Sequence, residues 1–128
     1  MPVGLSTTGL ANPLLNTLTG ASGLTFAAVW VQLHTGDPGA SGTALVSAVT
    51  TRQLASFSTA ALGALALSTS PTPWTMTTGE TITNISLWTA STAGTFLWSA
   101  ALAVNKTVAN GDTLTLNTCG LSLAPLAA

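Results

Sequence analysis

From Leu24 onward, apolar residues alternate with Ser, Thr, Gly and Asn over most of the chain. A period of two sends successive side chains to opposite faces of an extended strand, so this pattern constrains the chain to a β-rich fold more than any other feature. Ala27 to His34 places Val29, Val31 and Leu33 on one face, with Trp30, Gln32 and His34 on the other. Glu80 to Thr89 aligns Ile85 with Leu87, and Thr95 to Leu102 aligns Phe96, Trp98, Ala100 and Leu102. Further strands are read at Leu45 to Val49 and at Arg52 to Ser58. Ala60 to Ser68 has the Ala and Leu content of a helix, but its position among strands assigns it to another strand.

Turn signals punctuate these segments. Gly36-Asp37-Pro38-Gly39 ends the first strand, and Pro71-Thr72-Pro73 is a rigid break that no helix tolerates. Asn110-Gly111 is a favoured two-residue hairpin turn, which predicts that Lys106 to Ala109 pairs with Thr113 to Thr118. Ahead of the strands, Leu10, Leu14, Leu15 and Leu18 recur at helical spacing. They predict a short helix with Asn12 as its cap, Pro13 at the first helical position and Gly20 as its stop. The fold class is therefore mostly β, an antiparallel β-sandwich (jelly-roll-like) with a short N-terminal helix. No linker or internal repeat interrupts it, so residues 1–128 are read as a single domain.

Composition narrows the functions open to such a fold. Hydrophobic residues make up 47% of the chain and charged residues only 4%, against roughly 25% in ordinary soluble domains. Asp37, Arg52, Glu80, Lys106 and Asp112 are the whole inventory. Two cations cannot neutralise the roughly 6–10 phosphates of a typical DNA footprint, so nucleic acid is not expected as a partner. Nor is a membrane: there is no polybasic anchor, and the apolar block from Phe26 to Val31 is far shorter than the about 20 residues of a spanning helix. The start Met1-Pro2-Val3-Gly4-Leu5 is not read as a secretory signal. Cys119 is the single cysteine, which leaves no internal disulfide and no cysteine-based zinc site.

Few residues can carry chemistry. His34 and Asp37 supply at most two metal ligands where zinc needs three or four, and no Gly-x-Ser-x-Gly nucleophile accompanies them. His34, Asp37 and Pro38 are read instead as a structural turn, as are Asn110 and Gly111. Three acids in the whole chain make a glycosidase carboxylate pair an unfavoured reading. No catalytic residue, metal or cofactor is expected. Arg52, the only arginine, is placed to tie the Asp37 turn or a carbonyl-lined loop end. Trp98 is read as core, and Trp74, after the Pro-rich break, is assigned to neither core nor surface. Trp30 and Trp88 fall opposite the aliphatic faces of their strands, the outer surface of a simple sandwich. Outward tryptophans call for a cover, so Trp30, Trp88 and Arg52 are interface candidates, with a surface carbohydrate site as the weaker alternative.

Several runs also resemble a known family. They are Leu33-His34-Thr35-Gly36-Asp37-Pro38-Gly39 with Gly42-Thr43 and Arg52, then Ile82 to Ala90, Gly94 to Ala100, Lys106-Thr107-Val108 and Asn110 to Thr113. Their order is similar to that of small bacteriophage virion proteins of the tail-fibre or tail-collar-fibre-like type, many from phages of actinobacteria, which are related to capsid decoration proteins. The resemblance covers most of the chain and is loosest from Ser56 to Thr78. It implies a non-enzymatic virion structural protein, assembled in the host cytoplasm, whose partners are major capsid or tail proteins. A compact domain with no stalk repeat leads to capsid decoration (minor capsid) as the first reading, ahead of a tail-fibre or collar component or a carbohydrate-binding receptor module. The uncharged, apolar composition predicts a homo-oligomer. The resembling proteins point to a trimer.

Overall fold

The structure is a computed structural model that describes residues 3–20, 24 and 26–123. Its strands are β1 (Val29–His34), β2 (Gln53–Phe57), β3 (Ala64–Thr69), β4 (Trp74–Thr75), β5 (Glu80–Trp88), β6 (Phe96–Val108), β7 (Thr113–Leu114) and β8 (Gly120–Ser122). Six form a curled antiparallel sheet in the order β6-β5-β1-β2-β3-β8, while β4 pairs with β7 in a two-stranded ribbon. The mostly β, antiparallel class that the alternation predicts is what the chain adopts.

In the centre of the sheet the alternation works as read. Val31 pairs with Leu87 and Leu33 with Ile85, and all four point into the core. Trp74 and Met76, from the ribbon and the residue after it, close over them at 1% exposure each. Trp98 joins the same cluster.

One strand breaks its own period. Leu87 pairs with Trp98 and Trp88 with Phe96, so Leu97 is an extra residue at a bulge. The bulge reverses the phase of β6: Phe96 lies with Trp88, ring centroids 5.5 Å apart, whereas Trp98 lies with Phe57 at 6.1 Å. Phe96 and Trp98 therefore do not share a face, contrary to the alternation. Leu97 is fully buried alongside Trp98.

The helix begins earlier than expected. Its cap is Ser6 rather than Asn12: the Ser6 hydroxyl accepts the Gly9 amide at 3.1 Å and opens a π turn over Thr7–Ala11. The α-helix α1 (Asn12–Asn16) and a 3-10 turn follow, ending at Gly20 with φ +83°. A wide first turn lets the chain absorb Pro13, which has no amide to give, inside the helical run. Gly9 is required because a Cβ there would collide with the Phe96 carbonyl. Of the leucine stripe only Leu10 is buried; Leu15 and Leu18 face outward.

Two strand expectations fail. Leu45 to Val49 contributes a single bridge, Val46 to His34, because Leu45 turns to φ +50° and the Glu80 carboxylate holds Ser47 and the Ala48 amide. The Asn110-Gly111 turn forms, closed by the Asp112 amide on the Ala109 carbonyl at 3.1 Å, but its arms do not pair with each other. Lys106 to Val108 is bonded to β5, and β7 to β4. The turn is fastened to the ribbon by Gly111 and Asp112, each 2.8 Å from Met76, so burying Trp74 and Met76 draws β7 away from β6. Ala60 to Ser68, by contrast, is extended from Ala64, after a tight turn at Leu62 and Gly63.

Candidate interaction surface

The face of β1 and β5 opposite the core carries Trp30, Gln32 and His34 beside Trp88, Ser86 and Asn84. It is not an open surface. His34 is fully buried, with Nδ1 2.7 Å from the Ala44 carbonyl and Nε2 2.7 Å from the Ser86 hydroxyl, which also accepts the Trp88 indole N–H at 2.8 Å. Burial holds the imidazole below its ordinary pKa, outweighing the bond to Ala44. The 36–47 loop lies over this face, joined to β1 by the Thr35 amide on Leu45 at 2.8 Å and the Ser47 amide on Leu33 at 3.0 Å. Within it the Asp37 carboxylate accepts the Gly39 amide at 2.8 Å, a bond that lowers the Asp37 pKa. Pro38 is buried.

Arg52 completes the cover. Its Nη1 donates to the Ala90 and Ala93 carbonyls at 2.9 and 2.6 Å, its Nε to Gln32 at 3.3 Å, and its guanidinium carbon sits 4.0 Å from the centre of the Trp88 ring. A planar fork over an indole combines hydrogen bonding with a cation–π contact. Arg52 thus ties the 89–95 loop and not the Asp37 turn. Trp88, expected on the outside, is 6% exposed beneath Arg52 and Phe96. The outward placement fails because the 36–47 loop and Arg52 act as a second layer on that face. Trp30 beside it is half-buried.

The open apolar surface lies elsewhere, on the concave side. A cleft of about 670 Å³ runs between β6 and the segment 114–120, floored by Leu33, Leu67, Trp74 and Ile85. The N-terminal segment closes the upper edge of β6 by bonds from Ser6 to Leu97 and from Ser99 to Gly4, at 2.7 and 2.9 Å. Below that, Leu102 to Asn105 bulge outward opposite Thr83, leaving Val104 66% exposed on the rim. Among the described residues Lys106 is the only charged one on the lining. Cys119 also lines it, and burial pushes its thiol up to about 11. Among the described residues no three His, Cys, Asp or Glu side chains come together as a metal-binding group.

The sequence reading missed both this cleft and the apolar tip at Leu62. The signal for the tip was present: five uncharged, apolar or small residues from Ala60 to Ala64 with Leu where a hairpin turn favours Asn. The cleft had none, since it depends on how far the sheet curls.

A family model described as Gp80, podophage GP4 fiber I protein gp80, matches residues 4–124. No curated protein matches the chain.

Proposed function

Because the chain belongs to the Gp80 family of podophage GP4 fiber I proteins, we propose that it is a non-enzymatic subunit of a phage tail fibre. A virion structural protein of the fibre type is what the family is; the position on the particle and the manner of assembly are the proposal. The family match over residues 4–124 carries it. The fibre reading displaces capsid decoration as the leading one. Decoration rested on the lack of a stalk repeat, and a single compact domain serves equally as one module of a fibre built from several chains.

The chemistry of the site agrees with a structural role. Both ring nitrogens of His34 bond within the fold, to Ala44 and Ser86, and Oδ1 of Asp37 accepts the Gly39 amide of its own turn. The carbohydrate reading loses Trp88, which lies under Arg52. The fibre subunit is a homo-oligomer, three-fold by preference, that meets other tail proteins and is assembled in the host cytoplasm. Its surface supports this, because with five charged residues in the chain little electrostatic repulsion keeps copies apart.

Immunogold labelling of purified particles, with quantitative mass spectrometry of their proteins, tests the assignment. Label at the tail with a small copy number supports it. Label over the head, with copies in proportion to the major capsid protein, overturns it.

A further inference from the structure

The hairpin joining β2 to β3 breaks two local rules at once. Ala61 and Ala64 exchange both backbone hydrogen bonds, at 3.0 and 2.9 Å, around a two-residue turn in which Leu62 has φ +52° and Gly63 φ +71°. Positive φ at both central positions is the I′ geometry, for which Asn-Gly is the favoured pair; a leucine there pays a steric penalty between its Cβ and the backbone. Leu62 is also 93% exposed, at the centre of a run from Ala60 to Ala64 that is exposed throughout. Leu123, whose amide bonds the Gly63 carbonyl at 2.9 Å, adds a second half-exposed leucine beside it. A strained, solvent-facing leucine in an apolar run gains the isolated chain nothing, and such features persist where something outside the fold uses them.

The same chain carries a matching hole. The cleft between β6 and residues 114–120 is apolar, and among the described residues no strand lies beside the lower edge of β6 along its rim. The chain's own tip cannot fill it: β3 bears the tip and also supplies Ala66 and Leu67 to the cleft wall, so the hairpin would have to fold back on its own strand.

We propose that the Leu62 hairpin tip of one copy inserts into the cleft between β6 and residues 114–120 of a second copy. This deepens the fibre reading by naming the partner of this surface, and it rests on that reading only for the expectation that copies meet. A second copy is the occupant because one association covers both unsatisfied features, knob and hole, and neither presents a charge other than Lys106 to oppose it. The contact joins two different patches, and repeated about the three-fold axis preferred above it closes a trimeric ring instead of running on as a filament.

Leu62→Asn separates fold from assembly. It installs the preferred Asn-Gly turn, so the monomer's circular dichroism and thermal midpoint should be kept or improved, while the knob is gone. Sedimentation velocity of the full chain should show an oligomer for the wild type and a monomer for Leu62→Asn at the same concentration. In a Cys119→Ala background that keeps Leu62, Ala61→Cys with Val104→Cys should give inter-chain products with a short bis-thiol crosslinker, and neither cysteine alone should give a ladder. A monomeric wild type, or an oligomer that survives Leu62→Asn and yields no crosslink, overturns the proposal. The second of those results with tail labelling intact leaves the fibre assignment standing and moves the interface elsewhere. Binding of the wild-type tip to another purified tail protein in place of a second copy also overturns it.

Discussion

The hydroxyl of Ser86 donates to Nε2 of His34 across 2.7 Å. That direction follows from the other side of the ring, where the Ala44 carbonyl, 2.7 Å from Nδ1, can only accept. Burial favours the neutral imidazole, whose one proton then sits on Nδ1, and Ser86 remains free to accept the Trp88 indole N–H at 2.8 Å. Three residues from two strands and one loop carbonyl satisfy one another with nothing left over. This joins the cover loop to the sheet and gives the buried histidine a structural role.

The folded protein should weaken in mild acid because of that ring. Burial lowers the His34 pKa in the folded state below the roughly 6.5 of an unfolded chain, so between those values the unfolded chain binds more protons. The stabilisation is complete above about pH 6.5 and is lost as pH falls toward the folded value, at up to about 1.4 kcal/mol per pH unit. Urea midpoints measured from pH 7.5 to pH 5 should fall, and His34→Gln should flatten the profile over that window. An unchanged wild-type midpoint would contradict the neutral, buried assignment.

Ser86→Ala should cost about 1–3 kcal/mol, because it strands the Trp88 indole N–H and the His34 Nε2 in a buried site while removing one oxygen. Chemical denaturation monitored by tryptophan fluorescence measures it. Ser41→Ala, whose hydroxyl bonds Thr43 on the exposed part of the same loop, serves as the control and should change stability by less than about 0.5 kcal/mol.

Arg52→Lys should not substitute for arginine. A single ammonium cannot reach the Ala90 and Ala93 carbonyls and Gln32 while lying flat over Trp88. A loss of about 1–3 kcal/mol, faster amide exchange in residues 89–95 and red-shifted tryptophan emission are the expected signs. Retention of all three at wild-type values would show the loop to be held by other contacts.

Two glycines with similar backbone angles should differ sharply when changed to alanine. Gly42, at φ +73°, faces the Phe96 ring, which a Cβ would meet at 2.5 Å, whereas Gly111, at φ +91°, opens on empty space. Gly111→Ala should show only the backbone penalty of about 1 kcal/mol. Gly42→Ala should exceed it by about 1–3 kcal/mol, since the ring and the loop must move apart. Thermal denaturation of the pair decides it.

Cys119 should resist thiol reagents at pH 8, where a group with its pKa near 11 is almost entirely protonated. Alkylation should become rapid only in denaturant, and rapid labelling of the native protein would place the thiol in a different environment.

The periodic parts of this chain were legible without coordinates. Alternation at Val29 to His34 and at Glu80 to Thr89 requires strands, and pairing Val31 with Leu87 and Leu33 with Ile85 is the natural way to bury both apolar faces. The Gly36 to Gly39 and Asn110-Gly111 turns likewise follow from which residues tolerate positive φ, because conformational preference is a property of a few neighbouring residues. What lies over the second face is not local. Trp88 reads as outward until the 36–47 loop and Arg52, distant in sequence, fold across it. The bulge at Leu97, which separates Phe96 from Trp98, and the diversion of β7 to β4 are choices among pairings that the strands' own sequences leave nearly equal. Burial of large side chains decides such choices: placing Trp74, Met76, Leu97 and Trp98 out of water together outweighs the hydrogen bonds of a regular hairpin, and only the assembled core brings those residues into one place.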